Sequence, residues 1–257
     1  MLVAVSLVAT VAAADAPVQG PRTGFFELSF TAQELLGDAG AEKAGEILRS
    51  DDAMSWQLFV PADYDPARPV GVLVYVSPTK RGGPPRAWKH LLQQNNMIWI
   101  GANNSGNRVA VSKRMFLALL APRIAASDYS VDAERIYLSG FSGGGKTAGR
   151  LMAANPGLFR GGIYIGGAEI WDRTQPPPLL DVMQENHHVF LTGSDDFNEQ
   201  LTRRVYTAFR KAGIEHCKLI VERRRGHQLP SVDAMARAIE FLDARRAAPS
   251  ATQPTIE

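Results

Sequence analysis

Ten consecutive residues hold most of the reactive chemistry that this chain advertises: Leu138-Ser139-Gly140-Phe141-Ser142-Gly143-Gly144-Gly145-Lys146-Thr147. Two mechanistic patterns overlap there. Gly140-Phe141-Ser142-Gly143-Gly144 is G-x-S-x-G, a strained strand-to-helix turn that exposes a serine hydroxyl, with glycines where side chains would clash. Gly140 through Thr147 is also a literal G-x-x-x-x-G-K-[ST], the loop whose backbone amides cradle phosphates. Both patterns need a strand before them and a helix after, so local context does not separate them.

Distant residues do. A phosphate loop needs an acid at the end of another apolar strand to help hold magnesium. The apolar runs Val70–Val76, Met97–Ala102 and Gly162–Ile165 lead instead into Ser77, Asn103 and Gly166. The motif also follows the fifth strand-like run, whereas a phosphate loop usually follows an early one. A serine elbow calls for an acid and then a histidine, each just past the carboxyl end of a later strand. His188–Thr192 is followed by Gly193-Ser194-Asp195-Asp196, and Cys217–Val221 by a short loop with Gly226-His227. Serine chemistry is favoured over nucleotide hydrolysis, and Lys146 becomes an ordinary residue of the following helix.

In that chemistry Ser142 attacks an acyl carbon once a base removes its proton. Five histidines compete for the role. His187 and His188 start a strand and His216 precedes one, the wrong edge of a parallel sheet for a site at the carboxyl ends. His90 lies in a predicted helix. His227 alone follows a strand end in the right order. The Gly143 amide, next after the nucleophile, is the expected first donor to a tetrahedral oxyanion. Either Asp195 or Asp196 can orient the imidazole; the other is expected to be a turn or cap residue.

The elements that must position these groups alternate along the chain. Gly24–Phe30 and Ser55–Val60 alternate apolar and polar residues in part, as half-buried strands do. Val70–Val76, Met97–Ala102, Arg135–Ser139, Gly162–Ile165, His188–Thr192 and Cys217–Val221 read as central parallel strands. Helical segments fall between them at Ala87–Gln94, Lys113–Ala126, Lys146–Ala154, Asn198–Ala212 and Ser231–Ala244. An antiparallel start followed by βα units implies one α/β domain over residues 17–246, with a mostly parallel, doubly wound sheet.

From about Ser55 to Ala244 the chain resembles the α/β-hydrolase superfamily, and within it secreted esterases of the polyhydroxybutyrate depolymerase and feruloyl esterase type. Gly140-Phe141-Ser142-Gly143-Gly144, the Gly-x-x-Asp of 193–196 and Gly226-His227-Gln228-Leu229-Pro230 carry the likeness. The resemblance implies an α/β-hydrolase fold, a carboxylic-ester substrate, and Asp196 as the acid. Such esterases often have His-Gly after the strand that precedes the oxyanion loop; here Ser77-Pro78-Thr79 follows Val76. Pro78 has no N–H to offer, which leaves the second oxyanion donor open; Thr79 is the candidate taken for it. Gly166–His187 is short where many hydrolases insert a large cap. The expected site is an open cleft walled by Phe141, Trp171 and the loop Asn103–Asn107, with Phe141, Trp171 and Asn103 as substrate-binding residues. Such a cleft suits a bulky or polymeric ester. An acyltransferase or peptidase would use the same residues, and a non-catalytic binding protein would need none of them.

Composition adds limits. Of 257 residues, 45% are hydrophobic and 21% charged, ordinary for a globular chain with a core, and the net charge of +2 gives no reason to expect nucleic acid. Cys217 is the sole cysteine, so no internal disulfide forms, and no Cys/His cluster has metal-ligand spacing. No metal and no cofactor are expected. Residues 1–16 (MLVAVSLVATVAAADA) read as the apolar core and Ala-x-Ala end of a signal peptide, without its basic start. That leader is too short to span a bilayer, and it implies a periplasmic or secreted protein. Residues 247–257 read as a disordered tail.

Overall fold

The computed structural model describes residues 21–45, 47–48, 53–169 and 176–244. The apolar leader of residues 1–16, the tail 247–257 and Trp171 lie outside the described residues.

Among the described residues eight strands form one sheet: β1 (Gly24–Phe30), β2 (Met54–Val60), β3 (Val70–Val76), β4 (Met97–Ala102), β5 (Val131–Phe141), β6 (Gly161–Ile165), β7 (His187–Gly193) and β8 (Cys217–Glu222), in the order β1-β2-β4-β3-β5-β6-β7-β8. β1 pairs antiparallel with β2, and β2 antiparallel with β4; every pairing from β4 to β8 is parallel. The expected antiparallel start and parallel remainder are both present. Every residue of β3, β4, β6 and β7 is buried, which is why these strands read as unbroken apolar runs and not as alternating ones.

Among the described residues seven α-helices cover the sheet: α1 (Ala32–Ala44), α2 (Lys89–Gln94), α3 (Val111–Asp128), α4 (Gly143–Ala154), α5 (Leu180–Gln184), α6 (Glu199–Lys211) and α7 (Val232–Asp243). Side chains alternate across each strand, so the two faces build separate cores. Val72, Val74 and Ile98 pack with Leu117, Ile124, Leu151 and Phe209 of α3, α4 and α6. Leu73, Tyr75 and Trp99 pack on the other face with Leu91, Leu92, Met235 and Ile239 of α2 and α7. This doubly wound arrangement makes the carboxyl edge of the parallel strands the natural crevice for a site.

Two helices went unanticipated. α1 is held by a capping box in which Thr31 Oγ1 accepts from the Glu34 amide while Glu34 accepts from the Thr31 amide. Gly37 breaks its helical backbone with φ 68°. α5 is the one helix among the described residues between β6 and β7, and it has five residues, consistent with the absence of a large cap. No described helix is long and apolar enough to cross a membrane.

Candidate active site

β5 ends at Phe141 and α4 begins at Gly143, so Ser142 occupies the turn itself, with φ 55° and ψ −123°. That backbone is strained for a residue with a Cβ. Its amide donates to Ile165 O at 2.8 Å, and its carbonyl accepts from the Lys146 amide at 3.2 Å. The flanking glycines have a measurable reason. A Cβ on Gly140 would lie 2.4 Å from the Gly144 carbonyl, and one on Gly144 would lie 1.9 Å from Val76 O. Any side chain at either position would push the elbow off the sheet.

The loops after β7 and β8 bring the two distant partners to this turn. His227 Nε2 lies 2.8 Å from Ser142 Oγ, and His227 Nδ1 lies 2.9 and 3.0 Å from the two oxygens of Asp196. With the proton on Nδ1 facing the carboxylate, Nε2 is left free to accept from the serine hydroxyl. The Asp196 side chain is 1% exposed, and its Oδ1 also accepts from the Asn198 amide at 2.8 Å. Asn198 in turn donates its side-chain N–H to Gly166 O, fastening the acid loop to the end of β6. Gly166 has φ 53°, and a Cβ there would stand 3.0 Å from Asp196 Oδ2. Asp195 is exposed and accepts from Ser194 Oγ instead.

Two aromatic rings flank the imidazole. Phe141 stacks on His227 at 4.8 Å, and Phe197 lies 4.2 Å from it at an angle of 39°. Phe197 is 77% exposed, which makes it a ready apolar surface at the mouth of the site.

Three backbone segments beside Ser142 are joined through Arg114, which no sequence motif marks. The guanidinium donates to Ser105 O (2.7 Å), Ser77 O (3.0 Å) and Gly143 O (3.3 Å). It is buried, pairs with no described carboxylate, and has its pKa lowered by that burial. Gly143 N sits at the positive end of the α4 dipole. The Thr79 amide donates to Ser77 Oγ at 3.1 Å, and the two hydroxyls also meet at 3.1 Å. Asn103 accepts from the Gly82 amide and donates to Ser55 Oγ, so its carboxamide braces the strands.

The remaining histidines sit where the strand order puts them. His188 is fully buried between Tyr164 OH and Met183 O, and His187 Nδ1 lies 2.8 Å from Phe241 O. Burial pushes the Cys217 thiol up to about 12, which keeps it protonated and unreactive. Among the described residues no group of three His, Cys, Asp or Glu side chains is placed to hold a metal ion.

No protein-family model matches the chain, and no curated protein matches it either. Solved structures do. The chain covers 90% of its length against 89% of the feruloyl esterase module from Clostridium thermocellum, with TM-score 0.59 and 13% identity. Against S-formylglutathione hydrolase from Staphylococcus aureus it covers 91% of itself and 98% of that chain, with TM-score 0.58 and 11% identity. It covers 76% of its length against dipeptidyl peptidase 4 from Porphyromonas gingivalis, with TM-score 0.55 and 19% identity. It spans only 34% of that last protein's length. The chain has the α/β-hydrolase fold. In this chain the strand-to-helix turn after β5 holds Ser142, and the loops after β7 and β8 hold Asp196 and His227.

Proposed function

We propose that this protein is a serine hydrolase of carboxylic esters that forms an acyl-enzyme on Ser142. One observation carries the reading: the unbroken hydrogen-bonded chain from Ser142 Oγ through His227 to a buried Asp196. As Ser142 Oγ bonds to the ester carbonyl carbon, its proton passes to His227 Nε2 and the carbonyl electrons move onto oxygen. The Gly143 amide stabilises that oxyanion. Collapse of the intermediate expels the alcohol, which takes the proton from Nε2 and leaves the acyl group on Ser142. Water then attacks the acyl carbon as His227 takes its proton; breaking the acyl–Oγ bond returns that proton to Ser142 and releases the carboxylic acid. Asp196 keeps the imidazole in the reactive tautomer and offsets its transient positive charge.

Esters are preferred over peptides because the neighbours matched along nearly their whole length are esterases or thioester-type hydrolases by name, whereas the peptidase is matched over a third of its length. The short β6–β7 connection and the exposed Phe197 support a bulky acyl or alcohol group. The apolar leader supports export to the periplasm or beyond. Turnover of p-nitrophenyl esters tests the reading. Wild-type protein is expected to hydrolyse them and Ser142→Ala to lose all turnover above background while melting at a similar temperature. Undiminished hydrolysis by Ser142→Ala would contradict it.

A further inference from the structure

A tetrahedral oxyanion needs more than one preorganised donor, and the residue that the sequence offers as the second has its N–H engaged. The Thr79 amide points at Ser77 Oγ, and Pro78 has no N–H. A different group reaches the same place. Asn107 lies within the loop between β4 and α3, and its backbone amide donates to Pro78 O at 3.0 Å. That bond lays Asn107 across the Ser77–Thr79 segment. Its carboxamide meets the opposite wall: a Cβ built on Gly143 would stand 2.3 Å from Asn107 Oδ1 and 3.0 Å from Nδ2. The Asn107 side chain therefore occupies the volume directly beside the residue that follows the nucleophile. Only glycine at 143 leaves it that room.

We propose that the side-chain amide of Asn107 is the second oxyanion donor, an inference that rests on Ser142 being the nucleophile. Asn107 is exposed, and no hydrogen bond to a described residue engages its carboxamide, so rotation about its last torsion turns Nδ2 toward the developing charge without breaking a contact. Its main chain is fixed. Arg114 ties the loop before it at Ser105 O, the strand end at Ser77 O and the elbow at Gly143 O into one frame. The donor thus combines a rigid base with a free amide, and a side-chain amide serves an oxyanion as well as a backbone N–H does.

The test compares Asn107→Asp and Asn107→Ala with wild type on a p-nitrophenyl ester, with Ser142→Ala run alongside. Asn107→Asp keeps the shape of the side chain and removes its donor. In both Asn107 variants kcat is expected to fall by ~10²–10³ with KM changed less than about threefold, the signature of an interaction made only in the transition state. Affinity for an alkylboronic acid, whose serine adduct carries the oxyanion, falls by a comparable factor. Wild-type kcat in both Asn107 variants would overturn the proposal, as would a loss confined to KM. If either result came with an inactive Ser142→Ala, the hydrolase reading would stand without this donor. An active Ser142→Ala would instead remove the reading beneath it.

Discussion

Asp195 and Asp196 are chemically identical neighbours, yet the chain turns so that one carboxylate is buried against His227 and the other faces solvent. Asp196→Asn would present an amide N–H to Nδ1 or force the other tautomer, and either outcome spoils the acceptor at Nε2. A fall in kcat of up to ~10⁴ is expected for Asp196→Asn, and Asp195→Asn should stay within about threefold of wild type. Steady-state kinetics on the two variants check this; the opposite ranking would move the acid to Asp195. The spacing of elbow, acid and histidine along the chain was readable because each follows a strand, and strands declare themselves by composition. Asp196 over Asp195 was legible only through resemblance. Arg114 and Phe197 were not legible. Arg114 acts on carbonyls 37, 29 and 9 residues away, and main-chain acceptors leave no mark on side-chain sequence. Phe197 reads as one more apolar residue until its ring is seen against the imidazole.

At the scale of elements, the buried strands were the most legible, since burial on both faces demands continuous apolar runs. β3 and β4 begin and end as read, while β5 extends to Val131 through polar residues whose exposure hid their strand character. α1 escaped because Gly37 breaks its periodicity, although Thr31 and Glu34 supplied a capping-box signature at its start. The elements meet at the elbow through Arg114, which gives the frame a single point of failure. Arg114→Met would take the guanidinium donor from Ser77 O and Ser105 O, while Gly143 O would keep the Thr147 hydroxyl, and an unsatisfied buried acceptor costs ~1–3 kcal/mol. Urea unfolding of Arg114→Met is expected to show a loss of at least about 2 kcal/mol, with kcat reduced as the loops around Gly143 loosen. Unchanged stability and unchanged kcat would mean that these loops hold their positions without it.

Across the whole molecule, the candidate site lies at the carboxyl edge of the sheet, while His187 and His188 are buried at the amino edge with the exposed His216 beside them. His188 is the deepest of them. Burial lowers its pKa from 6.5 to about 4, with His187 and His216 adding to the effect and the contact with Met183 O opposing it. The folded state therefore binds fewer protons than the unfolded chain between those two values. Stability from this group is complete above about pH 6.5, is lost as the pH falls toward 4, and changes no further below that. Lowering from 6.5 to about 4 corresponds to about 3 kcal/mol. Urea unfolding at about pH 7.5 and about pH 4.5 should show a loss of that order from this group, largely absent in His188→Gln. An equal loss in that variant would assign the acid sensitivity to other groups.

The central claim is that Ser142 is a nucleophile activated by His227, and covalent labelling reads it directly. A fluorophosphonate reacts only with a serine whose proton is being removed and whose oxyanion is supported. Incubating the wild-type chain with such a reagent, digesting it and mapping the adduct should place one phosphonyl group on the peptide that contains Ser142. Labelling should vanish in Ser142→Ala and slow sharply in His227→Gln. An adduct on any other residue, or none on folded wild-type protein, would contradict the account.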